Sequence, residues 1–291
     1  QLLLEALERI GHIRNPHLLA PLAAQNPFHY RSKIRLQVSR QGEVGFFKAH
    51  SKHVIPIQHC LIADERLNQS IPEAAQIAQK LLKEDRASRH EIELRIDEKN
   101  QVRLSSETSS FDLGEEASFI QVNAAQNEHL VETALQALNL SGSEKVLELF
   151  AGEGNFTFPL SKQAGHVTAV ELSETAVLRA EARKQKEHVR TVEFIQSSAY
   201  RYLEETRKRN PKKFDLILLD PPRKGAFECM ASIAQVRAKT IVYVSCDPST
   251  LARDLRVLTD LGYRHESSQI IDMFPQTYHI ESVTKLTLDE L

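Results

Sequence analysis

From about Phe119 onward the chain alternates short, unbroken aliphatic runs with amphipathic stretches, and this alternation constrains the fold more than any other feature. The runs are Val146-Leu-Glu-Leu-Phe, His166-Val-Thr-Ala-Val-Glu, Val192-Glu-Phe-Ile-Gln, Phe214-Asp-Leu-Ile-Leu-Leu-Asp and Thr240-Ile-Val-Tyr-Val-Ser-Cys. Helix-like segments, such as residues 174–188 and 251–261, lie between them. Strands that are apolar on both faces need cover on both faces, which a parallel sheet between helical layers provides. Ile270-Ile-Asp-Met-Phe and Ser282-Val-Thr-Lys-Leu would add two closing strands. The pattern predicts an α/β, Rossmann-like domain with a mostly parallel seven-stranded sheet.

The preceding part reads differently. Residues 1–24 have a helical pattern that ends near Asn26-Pro27, and residues 28–48 read as a hairpin turning at Arg40-Gln41-Gly42. A helix over residues 72–83 has Pro72 in its first turn, and Glu91-Ile-Glu-Leu-Arg-Ile alternates as a strand that Val102-Arg-Leu could pair with. A length of 291 residues suggests about two domains. The expected division is an N-terminal helix (1–24) packing on the catalytic domain, a smaller α+β domain (25–118) and the sheet domain (119–291).

No stretch of eighteen apolar residues suggests a membrane span, and no signal-peptide pattern opens the chain. Cys60, Cys229 and Cys246 are too irregularly spaced for a disulfide framework, which points to a reducing cytoplasm. The chain starts at Gln1, directly inside a helical pattern, so further residues upstream are expected. The net charge of −2 does not advertise a nucleic-acid binder. Residues 28–53 are nonetheless locally basic: Arg31, Lys33, Arg35, Arg40, Lys48 and Lys52 face one acidic residue, Glu43, with Tyr30, Phe46 and Phe47 interleaved. Such a stretch could track phosphates and stack bases, or it could be a solvated strand face with its aromatics turned inward. Both can hold at once, and RNA contact is expected here.

Gly152 and Gly154 follow the first run of the sheet domain and would let the backbone turn tightly against a nucleotide. Glu171 ends the second run, where an acid can hold ribose hydroxyls, and Asp220 ends the fourth. A dinucleotide oxidoreductase would prefer Gly-x-Gly-x-x-Gly, but the third position here is Thr157. S-adenosylmethionine, which carries no phosphate, fits better, with its adenine near Ser198.

Asp220-Pro-Pro-Arg and Ser245-Cys246-Asp-Pro end neighbouring strands and so open onto one crevice. Arg223 stands where amino-methylating enzymes often carry an aromatic, which argues against transfer to adenine N6. A cysteine at a strand end is more often a packing residue, and a glutamate before a terminal strand is more often solvated. Together with a methyl donor, Cys246 and Glu281 suggest methylation of a pyrimidine carbon: a thiolate adds at C6, C5 takes the methyl group, and a base removes the C5 proton. Cys229 has no motif around it and reads as structural.

These residues also resemble the RNA 5-methyluridine (uracil-C5) methyltransferase family, with its class I methyltransferase fold. The likeness covers essentially the whole chain, and the specific motifs lie from Phe119 onward. They are Phe119-Ile-Gln-Val-Asn, Phe150-Ala-Gly-Glu-Gly-Asn-Phe, Leu219-Asp-Pro-Pro-Arg-Lys-Gly, Val244-Ser-Cys-Asp-Pro-Ser-Thr-Leu-Ala-Arg-Asp and Met273-Phe-Pro-Gln-Thr-Tyr-His-Ile-Glu-Ser. The resemblance implies Cys246 as nucleophile and Glu281 as base, with cofactor contacts from Gln121, Phe150, Asn155, Glu171, Ser198 and Asp220 beside the Gly152 turn already read from the loop. It implies RNA contacts from the basic hairpin (Arg31, Lys33, Arg35, Lys48, Lys52) and from Arg223.

It further implies a substrate in 23S ribosomal RNA first and transfer RNA second. Stacking shields C5 and C6 of a uracil inside a helix, so the target uridine is expected unpaired or flipped out; a monomer without a membrane partner is the default expectation. Cys60 resembles a late ligand of the iron–sulfur cluster that some members hold, so a cluster is expected only if upstream cysteines exist; no other metal site is expected. Two rival readings are an RNA cytosine-C5 methyltransferase, disfavoured because Pro221-Pro222-Arg223 lacks the expected Pro-Cys, and a non-catalytic RNA-binding protein.

Overall fold

The computed structural model describes residues 1–85, 90–97, 99–106, 122–209 and 214–289. The chain divides into two compact units, one made of Gln1–Ala24 with Gln126–Leu291 and the other of Gln25–Ala125. Among the described residues no helix is long and apolar enough to cross a membrane.

The smaller unit holds strands β1 (Lys33–Val38), β2 (Val44–Phe47) and β3 (Val54–Pro56), helices α2 (Glu65–Gln69) and α3 (Ile71–Glu84), and strands β4 (Glu91–Ile96) and β5 (Val102–Ser106). The strands form an antiparallel sheet in the order β3-β2-β1-β4-β5. Period-two alternation puts Ile34, Leu36, Ile92 and Leu94 on one face, where they meet Ala74, Ala78 and Leu81 of α3. The opposite face is charged and half exposed, as expected for a sheet covered on one side only.

The larger unit begins with α1 (Leu2–Arg9), and α4 (Ala124–Leu138) leads from the smaller unit into it. There follow β6 (Lys145–Leu149), α5 (Thr157–Ser161), β7 (His166–Glu171), α6 (Glu174–Lys186), β8 (Val192–Gln196), α7 (Ala199–Arg209), β9 (Leu216–Leu219), α8 (Met230–Val236), β10 (Thr240–Ser245), α9 (Pro248–Asp260), β11 (Tyr263–Ile271) and β12 (Glu281–Leu288). The sheet order is β11-β12-β10-β9-β6-β7-β8, with β10, β9, β6, β7 and β8 parallel and β12 and β11 antiparallel to their neighbours. Every residue of β9 and β10 is buried, the signature of a strand covered on both faces. The strand order reverses between β6 and β9, so the loops after these two strands diverge and open a crevice at their carboxyl ends.

Two expectations are corrected. The N-terminal helix stops at Arg9 instead of running to residue 24. A Cβ at Gly11 would lie 2.7 Å from the Leu7 carbonyl, and Pro16 and Pro21 cannot donate to a helical ladder. The chain instead runs along β11, with Leu19 and Leu22 N–H groups donating to Ser268 and Ile270 carbonyls at 2.9 and 2.8 Å. Helix α1 packs on α9, burying Leu3 and Leu7. The first closing strand lies earlier than the apolar run at Ile270 suggests. Strand β11 ends at Ile271, and Tyr263, Ser268 and Ile271 supply its fully buried positions.

Candidate active site

Backbone strain is concentrated where β6 ends. Phe150 has φ +63°, a left-handed conformation that costs a bulky residue energy, and Gly152 and Gly154 follow at +56° and +91°. The Gly152 N–H donates to Glu171 Oε2 at 2.9 Å, and Ser173 N–H donates to Oε1 of the same carboxylate at 2.8 Å. Glu171 is thus fixed at the end of β7, one strand over from the loop. No atom lies within 4 Å of a Cβ built on Gly152, so a ligand can approach the backbone there, whereas a Cβ on Gly154 would strike the Phe158 ring at 2.6 Å.

Three acids gather around this loop. Glu148 is buried; burial, with the charges of Asp220 and Glu171 adding to it and Thr157 opposing it, raises the carboxyl to about 8. Asp220, at the end of β9, keeps part of its surface accessible yet loses enough solvent to rise to about 7. The Gly152 N–H that a pyrophosphate would use already donates to Glu171. Carboxyl groups in this position suit ribose hydroxyls and a cationic sulfonium with its ammonium group. The donor chemistry therefore fits S-adenosylmethionine and not a dinucleotide. Asn155 sits on the same loop, its amide paired reciprocally with Asn127 at 2.9 and 3.0 Å. Ser198 follows β8, and its hydroxyl accepts from Arg201 N–H at 3.2 Å. Gln121 lies outside the described residues.

Cys246 stands on the strand-to-helix turn between β10 and α9. The Ser245 hydroxyl donates to the Asp247 carbonyl at 3.1 Å and accepts the Asp247 N–H at 3.2 Å, closing the turn around the cysteine. Asp247 then caps α9, its Oδ1 accepting Ser249 and Thr250 N–H groups at 2.9 Å. The thiol therefore stands just before a helix N-terminus, whose dipole favours a thiolate. Burial outweighs this and raises the Cys246 thiol; the charges of Glu281 and Asp220 add to the rise and the Arg223 cation opposes it.

Glu281, the first residue of β12, is 7% exposed. Burial and then the Asp220 charge push it up to about 8, again against Arg223. Arg223 is the cation common to both groups. Its guanidinium lies 2.8 and 2.9 Å from the two ring nitrogens of His279, and Thr250 Oγ1 donates to its carbonyl at 3.0 Å. Next along the chain, buried Asp254 accepts Ala226 N–H and the Tyr243 hydroxyl at 2.6 and 2.7 Å, while Arg253 donates to the Lys224 carbonyl at 2.8 Å. Helix α9 thus pins the segment that carries Arg223. His279 was not singled out in the sequence; it stacks near Tyr278, which is 83% exposed, with ring centroids 4.2 Å apart.

The expected RNA contacts of the smaller unit fall into three groups. Lys33 and Arg35 project from β1 onto Glu93 of β4 at 2.8 and 3.0 Å, so their charges are partly neutralised within the sheet. Arg31 is half buried, with its Nε out of solvent and unbonded. Lys48 and Lys52 are exposed on the turn after β2. Cys60 packs against the core of the smaller unit, and Cys229 and Cys246 belong to the larger one. Cys60 can supply one of the four ligands that a four-iron cluster takes.

Comparison with known proteins agrees with this chemistry. A family model described as tRNA (uracil-5-)-methyltransferase matches residues 73–288. The 23S rRNA (uracil(1939)-C(5))-methyltransferase RlmD of Haemophilus parainfluenzae is 32% identical, over 92% of this chain and 72% of that protein. RlmD of Pseudomonas putida is 33% identical, over 97% of this chain and 72% of its own length. The crystal structure of Pyrococcus abyssi tRNA (uracil-54, C5)-methyltransferase in complex with S-adenosyl-L-homocysteine shares the fold, with a TM-score of 0.70 at 22% identity over 98% of this chain and 83% of that one. With three quarters of its length under the family model, the chain belongs to the tRNA (uracil-5-)-methyltransferase family and is an S-adenosylmethionine-dependent RNA (uracil-C5)-methyltransferase.

Proposed function

We propose that this enzyme forms 5-methyluridine in 23S ribosomal RNA, with Cys246 as the nucleophile and Glu281 as the base. The observation that carries the residue roles is the convergence of a thiol, a buried carboxyl and the Arg223 cation beside the Asp220 crevice. The relatives at 32–33% identity, both 23S enzymes by name, support the RNA class.

Uracil C5 is a weak nucleophile until its neighbour is saturated. The Cys246 thiolate bonds to C6, and the electron pair of the C5–C6 double bond passes to C5 and O4. Arg223 faces the negative charge that arises. Gly152, Glu171, Ser198 and Asp220, with Gln121, Phe150 and Asn155, would hold S-adenosylmethionine, whose sulfonium would supply an electrophilic methyl group for C5 and leave as the neutral thioether. Glu281 then takes the C5 proton, the double bond reforms, and the C6–S bond breaks with its electrons returning to Cys246. Once sulfur is bonded to carbon its charge has left the site, so Glu281 can ionise without a thiolate facing it. A stacked uracil shields C6 from attack, so the target uridine is unpaired or flipped out.

Lys48 and Lys52 on the exposed turn of the smaller unit, with Arg31, Lys33 and Arg35 on β1 and the segment before it, give that unit its role in RNA binding. The reading makes the protein a monomer that acts in the cytoplasm without a membrane partner, in keeping with three thiols outside any disulfide.

The test is Glu281→Gln incubated with total RNA and S-adenosylmethionine. With the base removed, methylated RNA stays bonded to Cys246, and sequencing the trapped RNA names the substrate. A 23S fragment is expected. Transfer RNA in the adduct would replace the ribosomal reading. Undiminished turnover without an adduct would remove Glu281 from its role.

A further inference from the structure

We propose that His29, His59 and Glu65, in the unit Gln25–Ala125, form a binding site for a divalent cation of the zinc type. Each residue offers one ligand atom, and the three atoms lie within 4.8 Å of one another. Glu65 Oε2 stands 3.3 Å from His59 Nε2 and 3.5 Å from His29 Nδ1. A tetrahedral zinc ion with ligands at about 2.0–2.2 Å keeps its ligand atoms about 3.3–3.5 Å apart. Two of the three edges therefore already have the length the ion requires. The imidazole rings meet edge to face, with centroids 6.0 Å apart at 72°.

The three side chains come from separate stretches that the backbone ties together. His29 is held at φ +55°, and its N–H donates to the Leu61 carbonyl at 3.0 Å. Two residues on, Arg31 N–H donates to Ile62 at 2.8 Å, and Asp64 N–H donates back to Arg31 at 2.9 Å. Glu65 opens α2 behind its N-cap Asp64. Asn68, 5% exposed, ties the last side to the rest. Its Oδ1 accepts Cys60 N–H at 2.8 Å, while its amide nitrogen lies 3.1 Å from His59 Nε2 and 3.3 Å from Glu65 Oε2.

His59 Nε2 lies 3.1 Å from the Asn68 amide nitrogen and 3.3 Å from Glu65 Oε2, and His29 Nδ1 lies 3.2 Å from the Ala63 carbonyl. A bound ion would take the place of the protons shared in these contacts, so its uptake would release protons. Two imidazoles and one carboxylate form a borderline donor set suited to zinc-like ions, not to magnesium or calcium, which take oxygen ligands. Three protein ligands leave the fourth position to water. Cys60, adjacent to His59, packs on the core and is outside the ligand set. A bound ion would clamp the segment entering β1 to the start of α2.

Cobalt(II) is the probe, because tetrahedral cobalt absorbs strongly in the visible and thiolate ligation adds a separate near-ultraviolet band. The metal-free full chain should take up one equivalent of cobalt, with visible bands and no thiolate band, and zinc should displace it. Zinc should also raise the melting temperature. His59→Gln, Glu65→Gln and His29→Asn, the last tolerant of a left-handed backbone, should each weaken binding roughly 10- to 100-fold or more. Absence of visible bands and of a zinc-induced melting shift in the wild-type chain overturns the site. So do bands that survive all three substitutions, or that carry a thiolate band and vanish in Cys60→Ala or Cys246→Ala.

Discussion

Cys246 and Glu281 each stand one residue beyond Ser245 and Ser282, the last paired positions of the β10–β12 ladder. Carrying that antiparallel register one step further sets the thiol opposite the carboxyl, and the Ser282 hydroxyl, which donates to the Ser245 carbonyl at 3.3 Å, braces the pair from behind. Sheet register, not loop conformation, therefore aligns the proposed nucleophile and base. Cys246→Ala should abolish both methylation and the covalent RNA adduct while leaving S-adenosylmethionine affinity within about twofold. Equilibrium dialysis beside a methylation assay checks this, and methyl transfer by the alanine variant would rule out the covalent route.

In its proposed role as base, Glu281 must be ionised to accept the C5 proton. It is raised to about 8 by burial and the Asp220 charge, so kcat/KM should rise with pH through that region. The Arg223 cation favours the charged form of both Glu281 and Cys246. Arg223→Gln should therefore move the whole profile to higher pH, and a displacement of about one unit would appear as a tenfold loss at neutral pH. A profile of unchanged midpoint and lower plateau would assign Arg223 to RNA binding alone.

The two loop glycines should respond differently. Gly152→Ala imposes a left-handed alanine costing about 1–2 kcal/mol, with its methyl group in open space. The fold should survive, and S-adenosylmethionine affinity should fall because the methyl group takes room that the backbone left clear. Gly154→Ala drives its methyl group into the Phe158 ring on top of a left-handed φ, so its main effect should be on stability. Calorimetry for cofactor binding and thermal melting for stability separate the two. A Gly152→Ala chain that binds cofactor as tightly as wild type would place the ligand elsewhere.

The parallel strands were legible because burial on both faces demands unbroken aliphatic runs, and Val167, Ala169 and Val170 of β7 or Ile217 and Leu218 of β9 can serve nowhere else. The crevice followed from strand order alone. Residues 10–24 were not legible: leucines at helical spacing also serve a segment lying along an edge strand, and only Pro16 and Pro21 hinted at it. Charge pairing was hidden as well. Lys33 and Arg35 read as phosphate ligands in the sequence, and only the register with β4 shows Glu91 and Glu93 across from them. The His29–His59–Glu65 group is assembled by backbone pairing across thirty residues, so no local spacing announces it. Glu148 looked like one polar residue in an apolar run, and only the fold reveals that it is buried beside the other acids of the cofactor loop.

Glu148 makes stability depend on pH in a direction opposite to that of a salt-bridged acid. Its folded value is raised to about 8 from the usual 4.5. Between these limits the native chain holds a proton that the unfolded chain has released, so stability falls as pH rises, by up to about 1.4 kcal/mol per unit from this group. The stabilising contribution is fully present below pH 4.5 and gone above about 8. Asp220 and Glu281 are shifted in the same direction, so the wild-type curve alone cannot isolate one acid. Glu148→Gln removes the titration and keeps the shape. Its stability relative to wild type should therefore improve steadily from pH 5 to pH 8, by a few kcal/mol at most, when read from denaturant midpoints. Parallel curves for the two proteins would mean that the Glu148 carboxylate is stabilised inside the folded chain after all, and that the acidic cluster around the cofactor loop carries more negative charge than its burial implies.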